Sequence, residues 1–300
     1  MQDFPMKAMI EAGCTLLALC GLLTACRMAG EEQAPQGQAP AAVGAQRLLA
    51  QSAVAAGEAA GGVPGVASGG PAADSSAAVA SGSEAGRTLR VLSFNVRTWT
   101  RDRDSDSDVF WRTRMAAMER MIEDLDPDVL CFQEMLFPAT LYVPAGYRRV
   151  GALNISHPIF VRKGLKVQGS ELSVRWQACT VEGIRIINVH SSWDGEITAR
   201  TVEQVNAQLA GRELALACGD WNVRLAALQK AGLQMESARE LLSIPEDDTF
   251  ANFKRPLESH GPIDHFFVSG MTPLSYRMIT DGYGCSKMSD HYPIVLDVMF

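Results

Sequence analysis

Two stretches leave few folds open to this chain: Asp128-Val129-Leu130-Cys131-Phe132-Gln133-Glu134 and Leu214-Ala215-Leu216-Ala217-Cys218-Gly219-Asp220-Trp221-Asn222. Successive side chains of a strand point to opposite faces, so a strand that is apolar nearly throughout must be covered on both sides. Each stretch is therefore a central strand of a layered domain. The second opens through Gly219 onto Asp220-x-Asn222. The first ends in Glu134, and an acid at the tip of a buried strand is costly unless something there neutralises it. A metal ion would do so.

The same theme recurs along the chain. Residues 89–96 alternate, are rich in β-formers, and bring Asn95 to a strand end. Residues 175–181, the turn Glu182-Gly183 and residues 184–190 read as a hairpin closing on His190. Asp264 and His265 open the run Phe266-Phe267-Val268, and Ser289-Asp290-His291-Tyr292-Pro293 precedes Ile294-Val295-Leu296. Proline is tolerated at the start of a strand and not inside it. Asp290 and His291 are adjacent, so both reach one site only if the strand is just beginning there.

Helical spacing fills the gaps. Met115, Met118, Met121, Ile122 and Leu125 form one stripe across residues 109–125, read as core and stopped by Pro127. Residues 196–209 are amphipathic, helical patterns follow Asn222, and Asp248-Thr249-Phe250 marks a loop. Short extended runs occupy 147–174. The charged loop 101–108 lacks the glycine turn and distal glutamate of a calcium loop, so it reads as solvated. A strand-helix-strand pattern recurs in both halves without a residue-level repeat. The expected architecture is an α/β sandwich of two packed sheets flanked by helices.

Composition splits the chain. Residues 26–87 are Ala, Gly, Ser, Pro and Gln with hardly an aromatic side chain, too little apolar surface to offset chain entropy, so they read as a disordered tether. All Trp and Tyr residues lie beyond Arg87, leaving 88–300 as the one domain with a core. Upstream, the apolar run 13–23 is too short to span a bilayer and fits the core of a secretory signal, residues 1–25. It closes on Leu23-Thr24-Ala25-Cys26, which resembles a bacterial lipobox. The expectation is a chain lipid-anchored through Cys26 at the cell envelope, or else secreted. About 60 flexible residues would give the domain a reach on the order of 40 Å from the membrane. Cys131 and Cys218 lie in apolar strands and read as buried free thiols; with Cys179 and Cys285 they allow three pairings, among which the sequence does not choose. Of 27 Lys+Arg and 34 Asp+Glu, the first 87 residues hold 4 and 7, which leaves 23 and 27 and a net of −4 for the domain. That excludes a strongly basic nucleic-acid binder, though not a local basic rim.

Taken together, Ser93-Phe94-Asn95, Gln133-Glu134, Asn188-Val189-His190, Gly219-Asp220-Trp221-Asn222, Ile263-Asp264-His265 and Ser289-Asp290-His291 resemble the endonuclease/exonuclease/phosphatase superfamily, in its order and spacing across 89–300. The resemblance implies a four-layer α/β sandwich, two packed mixed β-sheets flanked by helices, with a Mg²⁺-dependent (or Mn²⁺-dependent) phosphoester hydrolase site. It implies that Glu134, Asn95 and Asp290 hold the metal and that Asp220 orients and deprotonates the attacking water. By the same resemblance Asn222 would donate to the phosphate or the attacking oxygen, Asp264 would fix the ring of His291, His291 would press a proton against a phosphoryl oxygen, and His190 would meet the phosphate or protonate the leaving group. Arg175 is an additional clamp, while His265 reads as structural.

Substrate is less constrained. Arg224 matches a Gly-Asp-x-Asn-x-Arg string of inositol-phosphate phosphatases, but the stretch before Asp264 departs from theirs. Residues 269–287 are too short for the aromatic hairpin of secreted sphingomyelinases, and abasic-site repair enzymes approach the same Asp differently. Ser93-Phe94-Asn95-Val96-Arg97 followed by Trp111-x-x-Arg114 resembles exported bacterial hydrolases of the superfamily. His157 stands where relatives often place Asn. A monomeric phosphodiesterase or nuclease is expected. The alternatives are a phosphomonoesterase or phospholipid-headgroup hydrolase, and a tethered non-catalytic binding module, although no motif Glu, Asp or His is broken.

Overall fold

The structure, a computed structural model, describes residues 86–102, 110–136, 139–153, 155–251 and 261–300. The signal, Cys26, the tether as far as residue 85 and most of the charged loop lie outside them. Among the described residues no helix is long and apolar enough to cross a membrane.

The chain runs β1 (Thr88–Asn95), α1 (Trp111–Leu125), β2 (Val129–Gln133), β3 (Tyr147–Arg149), β4 (Ile159–Arg162), β5 (Val167–Leu172), β6 (Trp176–Val181) and β7 (Ile184–His190). Then come α2 (Gly195–Ala207), β8 (Ala215–Asp220), α3 (Leu225–Lys230), β9 (Glu236–Ser237), α4 (Ala238–Leu241), β10 (Asp264–Ser269), β11 (Thr272–Met278) and β12 (Ile294–Met299). Two six-stranded mixed sheets result, ordered β11-β12-β1-β2-β4-β3 and β5-β6-β7-β8-β10-β9. In each, one parallel pair joins through a crossover helix: β1–α1–β2 and β7–α2–β8. Parallel neighbours need such a crossover, and here lies the recurrence seen in the sequence.

Strand parity sorts the core into layers. Val91, Val129, Cys131 and Ile159 of the first sheet meet Ile186, Leu216, Cys218 and Phe266 of the second. The opposite parity, Leu92, Phe94, Leu130 and Phe132, packs under Met118, Met121 and Leu125 of α1, so the methionine stripe is core as expected. On the other side Ile187, Val189, Ala217 and Phe267 pack against Val202 and Val205 of α2 and Leu228 of α3. Helix, sheet, sheet, helix: the four-layer sandwich follows from alternation.

Parity also places the polar strand ends. Continuing the inward-facing rows past the apolar layer gives Asn95, Gln133, Asn188, His190 and Asp220, and one step before the row of β10 lies Asp264. Gln133 Nε2 donates to Asn188 Oδ1 across the sheets at 2.7 Å, and Asn188 Nδ2 donates to Phe132 O at 2.8 Å. Both side chains are fully buried, so this crosslink fixes the two sheets against each other at the floor of the polar end.

Details depart from the expectation for physical reasons. α1 ends at Leu125 because Asp126 turns into the left-handed region (φ 46) and donates its N–H to Ile122 O, one residue before Pro127. β11 was not foreseen. It is an edge strand carrying Pro273 and a register shift, and only part of one face is buried, so its alternation is faint. The predicted hairpin is present, with Glu182 (φ 50) and Gly183 (φ 93) supplying the two left-handed residues of a tight turn. Cys131, Cys179, Cys218 and Cys285 are free thiols, the first three buried.

Candidate active site

Register brings three site residues into one row of the second sheet: His190 pairs with Asp220, and Asp220 with Asp264. Gly219 makes this possible. Its φ is +138, and a Cβ there would lie 1.9 Å from Val189 O, so β7 and β8 approach closely only with glycine. Asp220 is buried and held on both oxygens: Oδ1 accepts the Asn222 N–H at 2.9 Å and Oδ2 accepts Asn95 Nδ2 at 3.0 Å. Two imidazoles face the same Oδ2, His190 Nε2 at 3.7 Å and His291 Nε2 at 3.8 Å. Burial pushes the Asp220 carboxyl up, against the pull of His291 and His190.

On the far side of the His291 ring, Nδ1 lies 2.9 Å from Asp264 Oδ2. Burial alone would lower this histidine. The carboxylates of Asp264 and Asp220 outweigh it and hold the pKa up to about 10, so the ring is an imidazolium at neutral pH. His190 behaves oppositely, because burial lowers its pKa more than Asp220 and Glu134 restore it.

The first sheet supplies the acids that face the opening. β2 ends at Gln133, and Glu134 turns into the left-handed region (φ 57), which carries its side chain off the strand line; Oε2 accepts the Thr98 N–H at 3.1 Å. Asp290 precedes β12, with Arg97 Nε 3.6 Å from its Oδ2 and Ser289 Oγ bonded both to it and to Asn95 O. Asn95 bridges the two sheets, since its Nδ2 also reaches Glu134 Oε1 at 3.3 Å. The Oδ1 of Asn95 accepts the Arg97 N–H at 2.9 Å. Its amide therefore turns nitrogen, and not oxygen, toward the acids, unlike the metal ligand the resemblance implied.

Glu134, Arg175, His190, Asp220, Asn222, Asp290 and His291 line one cleft of about 680 Å³. Every predicted site residue except Asn95 and Asp264 contacts this space directly, and those two stand behind Asp220 and His291. The cleft joins acids facing the opening to a buried acid-histidine-acid relay.

The sequence profile of the Endonuclease/Exonuclease/phosphatase family matches residues 92–291, an interval containing every one of these groups. The chain belongs to this family. Its members are divalent-metal-dependent phosphoester hydrolases, and this chain is an enzyme of that kind. No curated protein matches the sequence. Among solved structures, a family member from Bacteroides thetaiotaomicron superposes with TM-score 0.59 at 20% identity, covering 72% of this chain and 98% of that one. TDP2 from D. rerio, complexed with single strand DNA product, gives 0.58 at 19%, covering 70% and 98%. Mannosyl-6-phosphatase from B. thetaiotaomicron gives 0.56 at 21%, covering 71% and 100%. At such identities these neighbours establish the shared fold.

Three supporting residues were not foreseen in these roles. Arg114, 5% exposed, donates through Nη1 to Val96 O (2.6 Å) and Met288 O (3.1 Å) and through Nη2 to Asp102 (2.8 Å). It ties the loop after Asn95 to the loop before Asp290. Its sign in the sequence is an arginine on the apolar face of α1. Thr249 Oγ1 accepts the N–H groups of Ile263 and Asp264, both at 3.1 Å, and its carbonyl accepts the Tyr292 N–H. Phe250 stands edge-on to the His291 ring at 4.9 Å. Neither carries a local signal. His265 is structural as expected: it is buried, and its Nε2 lies 3.0 Å from Val223 O. His157 is buried behind the site, its Nδ1 against Ser156 Oγ, and does not line the cleft.

Proposed function

We propose that the chain is a Mg²⁺-dependent phosphodiesterase of nuclease type, Mn²⁺ substituting, that acts outside the cytoplasm. One observation carries this reading: His291 is clamped between Asp264 at 2.9 Å and Asp220 at 3.8 Å, beside the cleft that Glu134 and Asp290 share.

The donors fit a hard divalent ion. Glu134 and Asp290 are carboxylates facing the opening, an all-oxygen set that leaves positions for water. Asn95 would join them through its oxygen once the amide turns over. Asp220, Asp264 and His291 also bring ligand atoms within 4.8 Å of one another. They are the poorer host, because Asp264 occupies His291 Nδ1 and Asn222 and Asn95 occupy Asp220. When bound, the ion neutralises charge building on the phosphate oxygens.

The remaining work falls to this chain's own groups. Asp220, made more basic by burial and fixed on both oxygens, takes a proton from the attacking water. The His291 imidazolium, oriented by Asp264, donates to a phosphoryl oxygen, and Asn222 Nδ2 donates beside it. His190, kept neutral by burial, offers a hydrogen bond to the phosphate, a role it fits better than that of acid to the leaving group. Arg175 clamps a phosphate oxygen.

From Leu23-Thr24-Ala25-Cys26 we further propose a signal over 1–25, lipidation at Cys26, a tether over 26–87 and a monomeric catalytic domain over 88–300. The chain enters β1 at Thr88, the opposite end of that strand from Asn95. A flexible tether leaves both a soluble phosphoester and a headgroup of the anchoring membrane within reach. A phosphomonoesterase is the second reading, supported by the likeness to mannosyl-6-phosphatase.

Assaying the full chain with Mg²⁺ against single- and double-stranded DNA, RNA, bis-p-nitrophenyl phosphate and p-nitrophenyl phosphate decides between the two readings. Hydrolysis of the diesters, lost on chelation, is expected. Turnover of the monoester alone would reject the nuclease reading.

A further inference from the structure

Trp193 stands apart from the other tryptophans. Trp176 and Trp221 are buried and Trp99 and Trp111 partly so, whereas Trp193 is 83% exposed. Its indole makes no hydrogen bond or ring contact among the described residues. The side chain nevertheless lines the same cleft as Asp220, Asn222 and His291.

The mount is rigid. Asp194 caps α2, its Oδ1 accepting the N–H groups of Glu196 and Ile197 at 3.0 Å each. Ser192 Oγ accepts the Asp194 N–H at 3.2 Å, and Thr198 Oγ1 donates to Ser192 O at 2.8 Å. His190, three residues earlier, is locked in the sheet by its N–H to Arg175 O at 2.8 Å. Bonds on both sides thus hold the backbone that carries the indole at the rim, so a ring that settles on it has only the Trp193 side chain to order.

We propose that Trp193 is a stacking platform for the base of a nucleotide flanking the scissile phosphate, and so a specificity-determining residue of this enzyme. The inference rests on the phosphodiesterase reading above. An indole face suits any flat ring, and three observations favour a nucleobase on a short nucleotide. Arg224 lines the cleft in addition to Arg175, which supplies a cation beyond the one assigned to the phosphate being cleaved. At about 680 Å³ the cleft has room for more than a lone phosphate ester. The domain's net charge of −4 offers no broad attraction to a long polyanion.

Two measurements on the full chain test this. First, thymidine 5′-monophosphate and ribose 5-phosphate are titrated with Mg²⁺ while tryptophan fluorescence is followed, with Trp193→Phe subtracting the other four indoles. Saturable quenching by the nucleotide alone, absent in the variant, is expected. No quenching, or equal quenching by the sugar phosphate, would overturn the base assignment. Second, kcat/KM is compared for a thymidine dinucleotide and the same dinucleotide lacking one base. A stacked base should favour the intact substrate by about 10-fold or more, mainly through KM. In Trp193→Ala that ratio should fall to about 1, with Trp193→Phe intermediate. A ratio unaltered in Trp193→Ala would overturn the proposal while leaving the hydrolase reading intact. Quenching by the nucleotide without hydrolysis of any diester would overturn the nuclease reading and, with it, the placing of the base beside a scissile phosphate. Phosphatidylcholine vesicles bound by the wild type and released by Trp193→Ala, with no nucleotide response, would replace the base with a lipid surface.

Discussion

The two sheets meet at one cleft but end in different chemistry. The first brings Glu134 and Asp290 to the opening, each partly exposed, Asp290 beside Arg97. The second ends in Asp220 and Asp264, both buried and engaged by hydrogen bonds or imidazole. Solvent-facing acids suit an ion that retains water, whereas burial makes Asp220 a stronger base and Asp264 fixes the ring of His291. His291 crosses the division: it follows Asp290 on the first sheet's side and is gripped by Asp264 of the second. Asn95 crosses it the other way, touching Glu134 and Asp220 at once. Separating the roles by sheet lets one phosphoester meet a metal and a proton relay without the two competing for the same oxygens.

The largest expected effect breaks the second sheet's side. Asp264→Asn removes the charge behind His291, and turnover should fall by about 10³-fold or more, with Mg²⁺ affinity by calorimetry little altered. Arg114→Met strikes the first sheet's side. It takes this donor from the Val96, Arg97 and Met288 carbonyls and from Asp102 and should destabilise the fold by roughly 3 kcal/mol in urea titration, weakening Mg²⁺ binding with it.

pH sharpens the contrast through His265, which packs in the second sheet and whose pKa burial lowers to about 4. Unfolding releases a histidine that binds a proton below about 6.5, so its contribution is fully present above that pH and is lost as pH falls toward 4. The loss approaches roughly 3 kcal/mol at the acid end. His265→Phe should flatten that limb of the stability profile between pH 6.5 and 4. The smallest effect on the fold belongs to Asn222, whose left-handed backbone (φ 57) suits glycine. Asn222→Gly should hold or raise stability by up to about 1 kcal/mol while cutting turnover roughly 100-fold. An equal loss of stability would mark Asn222 as structural.

Much of this was legible in the chain. Asn95, His190 and Asp220 share parity with Val91, Ile186 and Leu216, so their common face follows from counting along apolar strands. The six polar strand ends were each visible as local strings. Less visible was what steadies them. Arg114 bonds Met288 from 174 residues away, and Thr249 reaches Asp264 and Tyr292 from a loop with no periodicity. Such partners follow from the closed sandwich, and no local pattern announces them. β11 escaped notice for a related reason, as a half-exposed edge strand shows weak alternation. Trp193 was plain as a residue, but its exposure appears only once α2 is capped beside it.

The division of labour is tested most directly by measuring Mg²⁺ affinity and turnover together in Glu134→Gln and Asp220→Asn. Glu134→Gln should lose Mg²⁺ affinity by at least roughly 100-fold, and its rate should partly recover at high Mg²⁺. Asp220→Asn should bind Mg²⁺ about as the wild type does and stay nearly inactive at every concentration. Loss of Mg²⁺ binding in Asp220→Asn, with Glu134→Gln unaffected, would contradict the account.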